Sequence, residues 1–242
     1  YETSLTEEAI NNIMNEYKYK LDTIQTKEDT STSTKLATLT RGLVFHLNAK
    51  DVDFVREKGY EKSKYRNKCF LKNGVTKVDG QIGKAFEFDG TNDYILTNWA
   101  TSVISFMNVN FTISCWVYSD NDIDNFDYQL ALSVGGICTF SYLDGISTWR
   151  QAWTFKKSSG YWDKIKYTTP FQQQTWYHIV GTYSNESSEF KAYLNGVYEV
   201  SKTSLTLNAT INNDTYIGAG NNANRKFDGK ISAVRIYNRV LS

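Results

Sequence analysis

Glu87 and Asp89 stand two residues apart in "KAFEFDGTN", residues 84–92, and on a strand that spacing puts both carboxylates on one face. Retaining glycoside hydrolysis uses two carboxyl groups about 5 Å apart, one as nucleophile and the other as acid and base. The other reactive groups are dispersed. His46 and His178 lie far apart, with no Cys, Asp or Glu at ligand spacing around either; His178, in "WYHIV", reads as a satisfied structural histidine. Cys69, Cys115 and Cys138 form no C-x-x-C pair and are odd in number, so neither a zinc site nor a disulfide framework is indicated and they read as reduced thiols. Cys115 alternates with Phe111, Ile113 and Val117, where a thiol behaves as a small hydrophobe. The acidic run "SDNDIDNFD" carries Asp120, Asp122, Asp124 and Asp127. It lacks the Gly at the sixth position and the Glu at the twelfth of an EF-hand loop. It reads as an exposed loop, with calcium at the rim as the alternative.

The densest set of ligand-binding side chains is "SYLDGISTWRQAWTFKKSSGYWDKIKY", residues 141–167. Flat aromatic faces cover the C–H surface of a sugar, and amide and charged groups satisfy its hydroxyls. The candidate carbohydrate-binding residues are Tyr142, Trp149, Arg150, Tyr161 and Trp162. Alternation puts Trp149, Gln151, Trp153 and Phe155 on one face and Arg150 and Thr154 on the other; Trp153 is expected to fill a core instead. Lys156, Lys157, Lys164 and Lys166 lie nearby. The formal net charge is only +1, however, and no nucleic-acid motif accompanies them, so nucleic acid is not an expected partner.

These residues need strands to hold them. The 242-residue chain is 15% aromatic, with 17 Tyr, 13 Phe, 15 Gly and one Pro, a composition that favours β structure. No apolar run is long enough for a membrane span, and the N-terminus has no signal-peptide pattern. The start at Tyr1 suggests an excised or processed piece. Residues 5–27 place Ile10, Ile13, Tyr17, Leu21 and Ile24 on one helical stripe, which either self-associates or docks on the domain itself. The Ser/Thr-rich stretch that follows reads as a linker or extended arm. The expected organisation is a helix over 1–27, an arm over 28–41 and a β domain over 42–242. From Gly42 the period is two: Leu43, Phe45 and Leu47 alternate with Val44, His46 and Asn48, and Phe111, Ile113, Cys115 and Val117 alternate with Thr112, Ser114, Trp116 and Tyr118. Leu194-Asn195-Gly196-Val197 predicts a hairpin with a type I′ turn. Phe-Asp-Gly occurs at 88–90 and again at 227–229 and reads in both copies as a turn leading into the next strand. Short antiparallel strands in this number predict an all-β, two-sheet jelly-roll sandwich.

The ordered set "GLVFHLNA", "GKAFEFDGTNDYI", "FTISCWVYSD", "WYHIVGTYSNESSEFKAYLNGVYE" and "FDGKISAVRIYNRVLS" resembles the laminin G-like, concanavalin A-like jelly-roll domain over residues 42–242. The resemblance implies two curved antiparallel sheets with ligands on a concave face or at the loop rim. Related domains often carry Asp where this chain has Asn48 and Ser232, which argues against a structural calcium between the terminal strands. Glycosidases of the wider superfamily supply their second carboxyl one strand step further on. Here Thr91 and Asn92 occupy those positions, so the resemblance implies a domain that is not an enzyme and needs no cofactor. A helical stalk feeding such a head resembles the layout of tailed-phage fibre, baseplate or head-decoration proteins, in which a homotrimer built through the N-terminal helix would multiply weak contacts. The expected function is adhesion to a cell-surface glycan or bacterial wall polymer, in the company of other virion proteins and without membrane insertion. The expected location is the virion or the extracellular space, with folding in the cytoplasm if the chain is viral. The alternatives are an attachment module that binds no sugar and an accessory carbohydrate-binding module of a secreted glycosidase.

Overall fold

Alternating burial marks strands such as Glu189–Leu194, where Phe190, Ala192 and Leu194 are buried and the residues between them are half-buried, whereas Leu130–Val134 and Cys138–Ser141 are buried throughout. The computed structural model describes residues 40–99, 105–120, 129–136, 138–141, 151–156, 162–207 and 214–241. The chain divides into two units, Tyr1–Arg41 and Gly42–Ser242, and the strands belong to the second. The helix expected over residues 5–27 lies outside the described residues.

The strands are β1 (Leu43–Leu47), β2 (Val52–Asp53), β3 (Lys58–Tyr60), β4 (Lys68–Lys72), β5 (Thr76–Asp79), β6 (Lys84–Asp89), β7 (Tyr94–Asn98), β8 (Asn110–Ser119), β9 (Leu130–Val134), β10 (Cys138–Ser141), β11 (Ala152–Lys156), β12 (Trp162–Lys166), β13 (Tyr177–Ser184), β14 (Glu189–Leu194), β15 (Val197–Lys202), β16 (Asp214–Ile217) and β17 (Asp228–Tyr237). They form two antiparallel sheets, the all-β jelly-roll sandwich that the alternation predicts. The eight-stranded sheet runs β15-β14-β13-β8-β17-β6-β5 with β1 also on β17, and the nine-stranded sheet runs β12-β11-β10-β9-β16-β7-β4-β3-β2.

The core lies between them. On β8 Phe111, Ile113, Cys115 and Val117 are fully buried, and on β13 Ile179 and Tyr183 join them. The opposing sheet contributes Leu132, Val134, Phe140, Trp153 and Phe155, each such side chain adding about 1.5–3 kcal/mol of burial free energy. Trp153 is inside, as expected, and its indole N–H donates to the Tyr167 hydroxyl at 3.0 Å, which donates on to the Tyr193 carbonyl at 3.2 Å. A buried indole is thus satisfied. All three cysteines are buried free thiols; burial pushes Cys69 up to about 12 and raises Cys115 and Cys138 as well, so none offers a thiolate near neutrality.

Two local features position the outer face of the eight-stranded sheet. Asn195 (φ 50°) and Gly196 (φ 83°) both take positive φ, which a type I′ hairpin demands, and Leu194 pairs with Val197 across them. On β17, Ser232 pairs with Trp116 but Arg235 with Ser114, so one extra residue is inserted at a bulge where Ala233 has φ 51°. Strict alternation from Ile231 would turn Arg235 into the core. The bulge puts Val234 and Ile236 there, both fully buried, and sends Arg235 outward.

The second Phe-Asp-Gly is not a turn. Asp228 and Gly229 open β17 and pair with Asp89 and Phe88 of the first copy. Only the first copy turns: the Asp89 carboxylate accepts the N–H groups of Thr91 at 2.8 Å and Asn92 at 3.2 Å. Beside β1 the fully buried Glu61 accepts the backbone N–H groups of His46, Ser63 and Asn67 at 3.2, 2.6 and 2.9 Å. It also accepts the Ser63 hydroxyl at 2.8 Å and the Asn67 amide at 3.2 Å, and so ties the loop after β3 to β1.

Candidate functional site

The polar phase of β8 carries two large aromatics, Trp116 and Tyr118, half-buried on the outer face of the eight-stranded sheet. His178 of β13 lies opposite Trp116, with ring centroids 5.1 Å apart and planes inclined by 31°. Trp176, just before β13, lies 5.3 Å from Tyr118 at 48°. Gln81, Trp116, Trp176, His178, Asn195 and Gly196 line a groove of about 370 Å³. The hairpin tip is tied to it: the His178 N–H donates to Asn195 Oδ1 at 2.8 Å, and the Asn195 N–H donates to the His178 carbonyl at 2.8 Å. Indole faces, two primary amides and an imidazole converge there, the mixture that covers a sugar's C–H face and bonds its hydroxyls.

One end of this face is charge-matched. Lys230 sits over the Tyr118 ring at 4.3 Å, is held by both Asp120 oxygens at 2.8 and 3.1 Å, and lies 3.7 Å from Glu87. Burial works against its charge, but the Asp120 bond and charge outweigh that and raise its pKa. Asp228 beside it is also raised, by burial first and then by Asp120 and Asp89.

His178 therefore stands on the outer face rather than in the core, although its strand is central. Its pKa is lowered, by burial first and then by Arg235. His46 is lowered by the same two causes in the same order; the Asn48 amide lies 2.9 Å from its Nε2. Ser232 is fully buried, and among the described residues its hydroxyl has no hydrogen-bond partner. No group of three or more His, Cys, Asp or Glu among the described residues is placed to hold a metal ion.

Of the residues singled out in the sequence, Trp162 is described: it opens edge strand β12 opposite Lys156 and is 53% exposed. Tyr142, Trp149, Arg150 and Tyr161 lie outside the described residues, as do Asp122, Asp124 and Asp127 of the acidic run. Gln151, Trp153 and Phe155 are buried. Glu87 and Asp89 are engaged locally, Glu87 by the Thr76 hydroxyl at 2.9 Å and by Lys230, Asp89 as the cap of its turn. Burial raises the Asp89 carboxyl, but the N–H groups of Thr91, Asn92 and Asp93 outweigh it and hold the group below the usual range. The groove itself was not singled out in the sequence. Its signal was present in "SCWVYS", where Trp116 and Tyr118 fall on the phase opposite Cys115 and Val117.

The Laminin_G_3 family, described as the concanavalin A-like lectin/glucanases superfamily, matches residues 89–242. No curated protein matches the chain by sequence. Among solved structures the fold is similar to the binding domain of Paraclostridial Mosquitocidal Protein 1, with TM-score 0.66 and 24% identity over 84% of this chain and 50% of that one. It is also similar to the botulinum neurotoxin serotype D binding domain, with TM-score 0.65 and 15% identity over 84% and 50%. The binding domain of Botulinum Neurotoxin DC in complex with SialylT matches with TM-score 0.63 and 13% identity over 84% and 50%. The chain spans about half the length of these proteins, and at such identities the likeness is one of fold.

Proposed function

The chain belongs to the concanavalin A-like lectin/glucanase superfamily, and from that premise we propose that it is a non-catalytic binding domain for a cell-surface glycan or bacterial wall polymer. The observation that carries this reading is the aromatic groove: Trp116, Trp176 and His178 half-buried around about 370 Å³, with Asn195 and Gln81 at its rim. A sugar ring laid on Trp116 would gain apolar contact and amide hydrogen bonds together. The solved complex of a fold-mate with SialylT supports the same ligand class. Glu87 and Asp89, the carboxylates whose spacing raised hydrolysis, are held by Thr76, Lys230 and a turn, an arrangement that supports binding over catalysis.

A second sugar-binding surface is favoured by the exposure of Trp162 beside the sequence cluster Tyr142, Trp149, Arg150 and Tyr161. The wider setting, a trimeric virion fibre or other extracellular adhesin with a helical stalk and virion partners, rests on residues 1–41 of the sequence alone. Multivalent protein on an array of host glycans and wall polymers tests the reading. Binding that Trp116→Ala weakens by roughly 30-fold supports it. No binding at high valency overturns it in favour of an attachment module.

A further inference from the structure

Two cations stand on the outer face of β17, and the protein treats them differently. Lys230 has two carboxylate partners, Asp120 and Glu87. Arg235 is half-buried, and among the described residues no hydrogen bond or ion pair engages it. It pairs across the sheet with His46 on β1 and with Ser114 on β8, and Ser114 is two residues from Trp116. The carboxylates whose charges act on His46 have partners of their own: Glu61 its five donors, and Asp51 Lys62 at 3.4 Å. A partly desolvated guanidinium presents five N–H donors in a planar fork and is costly to leave without acceptors. A two-residue shift of register separates it from the Trp116–His178 pair. The bulge at Ala233 is what brings it there, since regular alternation would bury it.

Resting on the glycan reading of the groove, we propose that Arg235 is the anion-recognising residue of the site, and that the ligand is an acidic glycan whose oxyanion group bonds Arg235 while its ring lies on Trp116. Carboxylate and phosphate both match the fork bidentately, and lysine would not reproduce that match. His46 and His178 flank the same position as neutral donors and acceptors, and Lys230, neutralised by its own carboxylates, does not compete for the anion.

The test follows the Arg235 side-chain Nε–Hε resonance of the full chain by NMR during titration with N-acetylneuraminate, glucuronate and inorganic phosphate, with glucose as the neutral control. The expected result is a saturable shift with the acidic probes and none with glucose. Binding followed at the Trp116 indole should be about tenfold or more weaker in Arg235→Gln and only partly recovered in Arg235→Lys. A response to phosphate alone assigns a phosphate-bearing polymer, and a response to the acidic sugars a carboxylate. An Arg235 resonance silent to every oxyanion, or unchanged affinity in Arg235→Gln, overturns the proposal. If the array then shows neutral glycans bound, the groove reading stands without it. If Arg235 responds to phosphate while no glycan on the array binds, the anion site stands and the sugar reading falls.

Discussion

Asp89 and Asp228 lie directly opposite one another on β6 and β17, so the two Phe-Asp-Gly triplets pack against each other. A Cβ on Gly90 would come within 2.8 Å of the Asp228 Cβ, and one on Gly229 within 2.1 Å of the Tyr118 carbonyl oxygen. The facing carboxylates are unequal, because Asp89 is stabilised by its turn N–H groups whereas Asp228 is raised by burial and by the charges of Asp120 and Asp89.

Asp228→Asn is therefore expected to stabilise the fold at neutral pH by about 0.5 kcal/mol, the scale of a like-charge cross-strand pair after solvent screening. The sign follows from the raised pKa. The folded wild type binds a proton more readily than the unfolded chain, so it gains stability as pH falls through that pKa, whereas Asn has the benefit at every pH. Thermal melts of both proteins should converge on acidification; a variant less stable at neutral pH would contradict this account.

Trp116→Ala should weaken glycan binding by about 2 kcal/mol, roughly 30-fold, as loss of a central aromatic anchor does, while leaving the far-UV spectrum unchanged. Trp162→Ala, on the edge of the other sheet, should leave the affinity of the groove unaltered. Titration calorimetry on the two variants separates the surfaces, and the reverse pattern would move the site to the stretch around Trp162.

Acid should destabilise the domain through its histidines. His46 and His178 have folded pKa values below the ordinary value of about 6.5, so their favourable state is fully present above that pH. It is lost as pH falls through 6.5 towards the folded values. Melting temperature should decline between about pH 7 and about pH 5, and His46→Asn with His178→Asn should flatten that decline.

Glu61→Gln keeps the shape of the side chain but turns an amide N–H₂ towards donors it cannot accept. Leaving a buried N–H unsatisfied costs about 1–3 kcal/mol, so a loss of about 2–3 kcal/mol in urea unfolding is expected. A change of a few tenths would show that the loop after β3 is not held by this carboxylate.

The sandwich was legible because burial on one side of a strand leaves a period of two in the sequence. Phe111, Ile113, Cys115 and Val117 mark their face without reference to any partner, and Asn195-Gly196 marks its turn by the backbone angles it permits. The same reasoning misread the second Phe-Asp-Gly. Local chemistry allows Asp-Gly to turn, and the pairing of Asp228 with Asp89 that extends it into β17 is a contact between residues 139 positions apart in number (228 − 89). His178 read in the sequence as a structural histidine, and only the strand pairing sets its ring beside Trp116.

By itself the sequence determined the class of fold, the hairpin at Asn195, the burial of Trp153 and the aromatic phase of β8, since each follows from neighbours along the chain. Tertiary structure alone decided which outward residues meet. The joining of Trp116 to His178 and Trp176, the pairing of Lys230 with Asp120 and the release of Arg235 at the Ala233 bulge all depend on the register between strands distant in sequence. Register shifts by one residue reverse every side chain, and no local pattern records such a shift in advance.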